Sequence, residues 1–198
     1  MTLRLLLGTS NTGKVAELRR ILAGLDHALV SLDELGDPPP EPAEDARTYR
    51  ANAVHKAEAY LHATGIATVA DDSGLEVDAL GGAPGVRSRR YFGEGVPAER
   101  RNAMLLGLLY GVTDRRARFV CVIAFARPDA ATETFEGEVR GAISLAPSGA
   151  SGFGYDPIFV VAGDGRRMAE LPAEEKDRIS HRGRAGAKLR ASLGGELL

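Results

Sequence analysis

The sequence has one cysteine, no tryptophan and no long hydrophobic run, and each shortage excludes something. A single cysteine, Cys121, cannot form an intrachain disulfide, which agrees with a reducing compartment. No stretch approaches the roughly 20 apolar residues of a membrane-spanning helix, and the apolar run within MTLRLLLGTSNTGK is too short for a secretory signal. The expected location is the cytoplasm, with no membrane partner. An excess of one charge is missing too: 25 Lys and Arg stand against 27 Asp and Glu, a net charge of −2. No global field therefore gathers nucleic acid, and a polyanionic ligand needs a locally basic pocket. His55 and His62 lie seven apart and lack a third ligand, so they read as surface residues.

What is present suits one α/β domain over residues 1–198, with no internal repeat and no low-complexity linker. TLRLLL reads as a short strand, and Val15, Leu18, Leu22 and Leu25 recur at helical spacing after Gly13. A second strand is expected around Ala28 to Leu32, followed by the exposed, proline-rich GDPPPEPAED. Thr48 to about Thr64 favours helix, with Gly65 at its C-terminal cap. IATVA reads as a buried strand running into DDSG, then come LEVDAL and a glycine-rich loop. A helix at about Ala98 to Leu109 precedes ARFVCVIAF, a strand buried on both faces, where Cys121 is a core thiol. TETFEGEVRGAISL looks like its antiparallel partner. The loop SGASGFGYDP, a strand IFVV, the charged EEKDRISHRGR and a helix bearing Leu189 and Leu193 end the chain. Helices alternate with strands early and hairpins dominate later, which predicts a mixed sheet.

Five segments carry chemistry. In GTSNTGK, Gly8 to Lys14, a strand ends and a helix opens, where free backbone N–H groups and the helix dipole favour phosphate. The spacing matches a P-loop, but the next residue is Val15, where that motif needs Ser or Thr for magnesium. The segment is either an ordinary turn or a phosphate loop whose metal is held elsewhere by carboxylates. In DDSG, Asp71 and Asp72 fall at a strand end, where α/β sheets place chemistry. Alternation sends only one of them into a given site, and an Asx turn is the plainer alternative. Glu44, in the proline-rich loop, could supply a second hard oxygen ligand. SGASGFGYDP offers two rings on a flexible loop, as stacking on a base requires, although a wide hairpin turn has the same composition. Lys176, Arg178, His181, Arg182 and Arg184 crowd one segment, enough to neutralise part of a triphosphate, if it is not a solvated helix face. His181 and Arg182 could present donors to a base edge, which pairs with a 6-oxo purine and opposes the 6-amino group of adenine.

Together TSNTGK, ADDSGLEVDALGGAPGV, RYFGEG, FGYDPIF and EEKDRISHRG, in this order over nearly the whole chain, resemble the ITPase/XTPase family, the HAM1-like or RdgB-like non-standard purine NTP pyrophosphatases. The resemblance implies an elongated two-lobed α/β protein with a central substrate cleft, usually a homodimer, that needs Mg2+. It further implies that Thr9, Ser10, Asn11, Thr12, Gly13 and Lys14 bind the triphosphate. Asp72 would be the acid at the catalytic centre and, with Glu44, hold the metal, while Ser73 touches substrate. Phe153, Gly154, Tyr155, Asp156, Lys176, His181 and Arg182 would complete the nucleotide pocket. Two positions depart from the family pattern: Ala51 replaces an acid before Asn52, and Arg89 replaces a small residue before Arg90 and Tyr91.

The expected activity is Mg-dependent hydrolysis of dITP, ITP or XTP to the monophosphate and pyrophosphate, with Lys14 and Lys176 neutralising the leaving group. The alternatives are a P-loop NTPase or kinase, which Val15 opposes, a nucleotide-binding module without turnover, and a related pyrophosphatase acting on modified pyrimidines, which the full motif order disfavours.

Overall fold

The computed structural model describes residues 3–194; Thr2, which opens the first apolar run, lies outside them. The strands are β1 (Leu3–Leu7), β2 (His27–Ser31), β3 (Ala67–Val77), β4 (Arg116–Ala126), β5 (Glu133–Ile143) and β6 (Phe159–Val161). The helices are α1 (Thr12–Ile21), α2 (Tyr49–Thr64), α3 (Ala98–Leu108), α4 (Ala173–Ile179) and α5 (His181–Ser192). The strands form one sheet in the order β2–β1–β3–β4–β5–β6. β1 runs parallel to β2 and β3, and the remaining pairings are antiparallel, so the sheet is mixed as expected.

Alternation along the strands assigns the layers. Leu5, Leu7, Val69, Cys121, Ile123 and Phe125 meet α1 and α5 through Leu18, Ile21 and Leu189. Ala70, Val122 and Ala124 meet α2 through Tyr49, Ala53 and Ala57, and the two alanines let the helix come close. Farther along the same long strands a separate core gathers Leu75, Val77, Phe119 and Val139 with Leu105 and Phe159. β3 and β4 therefore pass through two cores in succession, and Asp71 to Gly74 fall between them. Helix α2 begins and ends where expected: the Thr48 side chain accepts from Ala51 N, and Gly65 takes the left-handed conformation at φ 68°.

Two expectations need correction. DDSG is neither a turn nor a strand end: it lies inside β3, with Asp71, Asp72, Ser73 and Gly74 opposite Ile123, Val122, Cys121 and Val120. β4 offers an unbroken antiparallel partner, so ladder hydrogen bonds prevail over local aspartate-to-backbone bonding. EEKDRISHRGR is not one charged face either. Ser180 is extended at φ −69° and ψ 162°, ends α4, and caps α5 by accepting from Gly183 N. Arg178 and Arg184 turn outward and are exposed, and Arg184 donates to the Glu138 carbonyl.

Candidate active site

The turn from β1 into α1 is built for close approach. A Cβ on Gly8 would lie 2.8 Å from Tyr60 Cδ2, so the backbone passes hard against α2. Asn11 caps α1 by accepting from Lys14 N at 3.1 Å, and Thr9 Oγ1 accepts from Asn11 N at 3.2 Å. Lys14 extends to β3, with Nζ 3.1 Å from Asp71 Oδ2.

The two aspartates face opposite helices. Asp71, 0% exposed, points toward α5 and also binds Arg182 at 3.0 Å. Burial alone would raise its pKa, but Lys14, Arg182 and Lys56 outweigh burial and hold the carboxyl well below the usual range. Asp72 points toward α2. Its Oδ2 accepts from Asn52 Nδ2 at 2.8 Å and its Oδ1 from Ser73 N at 2.9 Å. Burial raises its pKa, and Lys56 and Asn52 offset only part of that rise. Glu44 reaches the same place from the irregular segment before α2, its carboxylate bonded to Lys56 Nζ. Lys56 also donates to the Asp71 carbonyl at 2.6 Å, and Arg90 donates to the Glu44 carbonyl.

The opposite wall comes from the 148–156 loop and the α4–α5 junction. Asp156 accepts from Phe153 N at 2.8 Å and from Lys176 Nζ at 2.6 Å. Burial raises the Asp156 pKa despite Lys176. Lys176 also pairs with Glu17 of α1 at 2.6 Å. Burial lowers the Lys176 pKa, but Asp156 and Glu17 reverse that, so it stays charged. The Phe153 ring lies 5.0 Å from Lys176 Nζ and 5.5 Å from the Arg182 guanidinium carbon. Gly13 lies beneath it, where a Cβ would come within 2.6 Å of Phe153 Cδ1. His181 stacks on Phe119 with centroids 4.7 Å apart and planes 12° apart. Burial and the cations Arg182 and Lys176 hold the His181 pKa well below its ordinary value, so the imidazole is neutral. Arg182 donates to Glu17, twice to Asp71 and once to Ser73, which leaves a single guanidinium N–H for the cleft.

Thr9, Asn11, Lys14, Glu44, Asp72 and Ser73 line one cleft together with Phe153, Gly154, Tyr155, Asp156, Lys176, His181 and Arg182. Ser10 and Thr12 face a second cavity on the other side of the loop, and Gly13 supports Phe153. Lys176 lines the same cleft and lies under the Phe153 ring. Its carboxylate partners Asp156 and Glu17 hold it there. Lys56 occupies the place beside Glu44 and Asp72.

Sequence reasoning missed Glu17, Asn52 and Lys56. The signal for the last two was present: Tyr49, Asn52, Ala53, Lys56, Ala57 and Tyr60 form one buried stripe of α2, and polar residues on such a stripe need a partner. Glu17 lies one turn before Ile21, on the buried side of α1.

Glu44 and Asp72 suit a hard divalent cation. Two carboxylates, with substrate phosphates completing the shell, are how magnesium is commonly held. Among the described residues no group of three or more His, Cys, Asp or Glu forms a self-sufficient metal cage.

Residues 5–192 match the Ham1 family. The dITP/XTP pyrophosphatase of Geobacter sulfurreducens is 48% identical over 193 residues, which cover 96% of each chain. That of Deinococcus deserti is 48% identical over 189 residues, 96% of this chain and 88% of the relative. The Ham1 protein of Staphylococcus aureus superposes with a TM-score of 0.86 at 41% identity, covering 96% of this chain and 98% of that one. A HAM1 protein from Coxiella burnetii gives a TM-score of 0.88 at 38% identity, covering 98% and 99%. With the loop, the carboxylates and the ring-lined wall in one cleft, and a match running nearly end to end, this chain belongs to the Ham1 family.

Proposed function

We propose that this protein hydrolyses non-standard purine nucleoside triphosphates, dITP, ITP and XTP, to the monophosphate and pyrophosphate, removing them from the nucleotide pool. One observation carries the reading: a single cleft joins a phosphate-directed loop and two carboxylates to a wall of rings and donors suited to a base. Relatives named dITP/XTP pyrophosphatase, matched along nearly their whole length, support it.

In this reading the triphosphate lies against the 9–14 loop and the base against Phe153 and His181. A magnesium ion at Glu44 and Asp72 would supply positive charge to the phosphate oxygens. Asp72, a carboxylate of raised pKa, accepts a proton from the attacking water, and desolvation makes it a better base for that purpose. The water oxygen bonds to the α-phosphorus, the bond from that phosphorus to the bridging oxygen breaks, and the electron pair leaves with pyrophosphate. Lys14 and Lys56 meet the developing charge. Asn52 fixes the Asp72 carboxylate and Ser73 N–H holds its other oxygen.

ATP and ITP carry the same triphosphate, so selection falls to the base. A donor from Arg182 or His181 that meets the 6-oxo group is left facing an amino group in adenine, which costs about 1–3 kcal/mol, or roughly 5- to 150-fold per contact. kcat/KM measured for ITP, XTP, dITP, GTP and ATP tests the reading; equal values for ITP and ATP would remove His181 and Arg182 from base selection.

The protein is further read as a cytoplasmic homodimer that contacts neither nucleic acid nor membrane. Among the described residues no helix is long and apolar enough to cross a membrane. Met104, Leu108 and Tyr110, on and just after α3, are exposed and support self-association. Light scattering should give about twice the 21.0 kDa chain mass, and a monomer would remove the dimer.

A further inference from the structure

The charges lining the cleft are mostly committed to one another. Lys14 and Arg182 engage Asp71, Lys176 engages Asp156 and Glu17, and Lys56 engages Glu44. Arg90 and Arg101 donate to the carbonyls of Glu44 and Val96. Among the described residues lining the cleft, Arg89 is the one cation without a close partner. Its Nη1 is 3.9 Å from Glu41 Oε1, and its side chain is 70% exposed.

Its position says what it could meet. Glu41 accepts a hydrogen bond from Ser10 Oγ at 2.9 Å, and Ser10 directly precedes Asn11, the cap of α1. Arg89 therefore stands across the cleft mouth from the glycine loop, with one carboxylate between them. Glu41 lines both the cleft and the second cavity, so it ties the guanidinium on the cleft side to the loop hydroxyl on the other and sets Arg89 one carboxylate away from the loop. The long, exposed side chain is free to close on an anion without breaking a buried pair.

We propose that Arg89 is a binding residue for the terminal phosphates: it closes from the cleft rim on the β- and γ-phosphates and on the pyrophosphate that leaves, taking the place of its loose contact with Glu41. The inference rests on the pyrophosphatase reading for its substrate, but the anion contact itself is testable without turnover. Arg89 touches neither the base wall nor Asp72, so it acts on affinity for the polyphosphate and not on the chemical step.

Wild type, Arg89→Ala and Arg89→Lys would be titrated with inorganic pyrophosphate, and separately with IMP, in Mg2+ by calorimetry, and then assayed with ITP. An exposed charge-assisted contact predicts pyrophosphate binding about two- to fivefold weaker in Arg89→Ala, with a similar rise in KM for ITP and kcat within about twofold. IMP affinity should not change, and Arg89→Lys should recover part of the loss. Raising salt from about 50 mM to about 0.5 M should narrow the gap between wild type and Arg89→Ala, because the contact is exposed to screening. Equal pyrophosphate affinity in wild type and Arg89→Ala, binding by neither, or an equal loss of IMP binding would overturn the proposal. Pyrophosphate bound through Arg89 by a protein that leaves ITP intact would instead refute the pyrophosphatase reading and leave this one standing.

Discussion

Replacing Asp71 with asparagine removes the charge that Lys14 and Arg182 share inside the protein, while the same change at Asp72, one residue on, removes a charge that burial disfavours. At position 71 the carboxylate is 0% exposed and its Oδ2 receives Lys14 at 3.1 Å and Arg182 at 3.0 Å. Breaking a buried ion pair from one side costs about 3–5 kcal/mol, because the partner charge stays behind unpaired. For a chain of this size that is a fall in Tm of about 6–20 °C. At position 72 the terms oppose one another. Loss of a desolvated negative charge favours folding, but an amide offers one acceptor oxygen where Asn52 Nδ2 and Ser73 N now use two, and about 1 kcal/mol is lost with the unsatisfied donor. Asp72→Asn should therefore change stability by no more than about 1 kcal/mol, while kcat falls about a hundredfold or more. Urea unfolding of both variants at neutral pH, with ITP turnover measured on the same preparations, is the assay. Equal destabilisation at both positions, or near-normal turnover by Asp72→Asn, would refute the assignment of opposite roles to the two faces of β3.

Four further outcomes follow from the geometry. Asp71 has a lowered folded pKa, so its stabilisation is complete above the unfolded value of about 3.9 and is lost as pH falls through the folded value. His181 is held neutral, so its contribution is complete above about pH 6.5 and declines as pH falls below that; His181→Asn should flatten the stability–pH curve between about 6.5 and 5, and an unchanged curve would contradict the burial argument. Gly13→Ala brings a Cβ within 2.6 Å of the Phe153 ring as it now lies, so the ring must shift and KM for ITP should rise about fivefold or more with little change in Tm; an unchanged KM would remove the ring from base stacking. Asn52→Ala removes a bond that lowers the Asp72 pKa, which should move the acid limb of the kcat profile to higher pH; a limb that stays in place would disconnect Asp72 from it.

Local chemistry made much of the fold legible. Thr48 and Gly65 mark the ends of α2 because a side-chain cap and a left-handed glycine are demands that few residues meet. The apolar ARFVCVIAF run became β4, buried on both faces around Cys121. What was not legible depended on which element covers which face. Alternation says that Asp71 and Asp72 diverge, but only the docking of α5 on one side and α2 on the other decides which one is sealed against Arg182 and which meets Asn52. The same limit hid the partners of Lys176. Its sequence neighbourhood is a cluster of cations, whereas its charge is set by Glu17, 159 residues earlier, and Asp156, 20 residues earlier. DDSG misled for a related reason: its composition favours a turn, and only an antiparallel partner along its whole length keeps it extended.

The most direct test of the central claim is hydrolysis of ITP by the pure protein with Mg2+ in 18O-labelled water, with every product identified by mass spectrometry. Water attack at the α-phosphorus predicts singly labelled IMP and unlabelled pyrophosphate. IDP with orthophosphate, or the label in pyrophosphate, would contradict it.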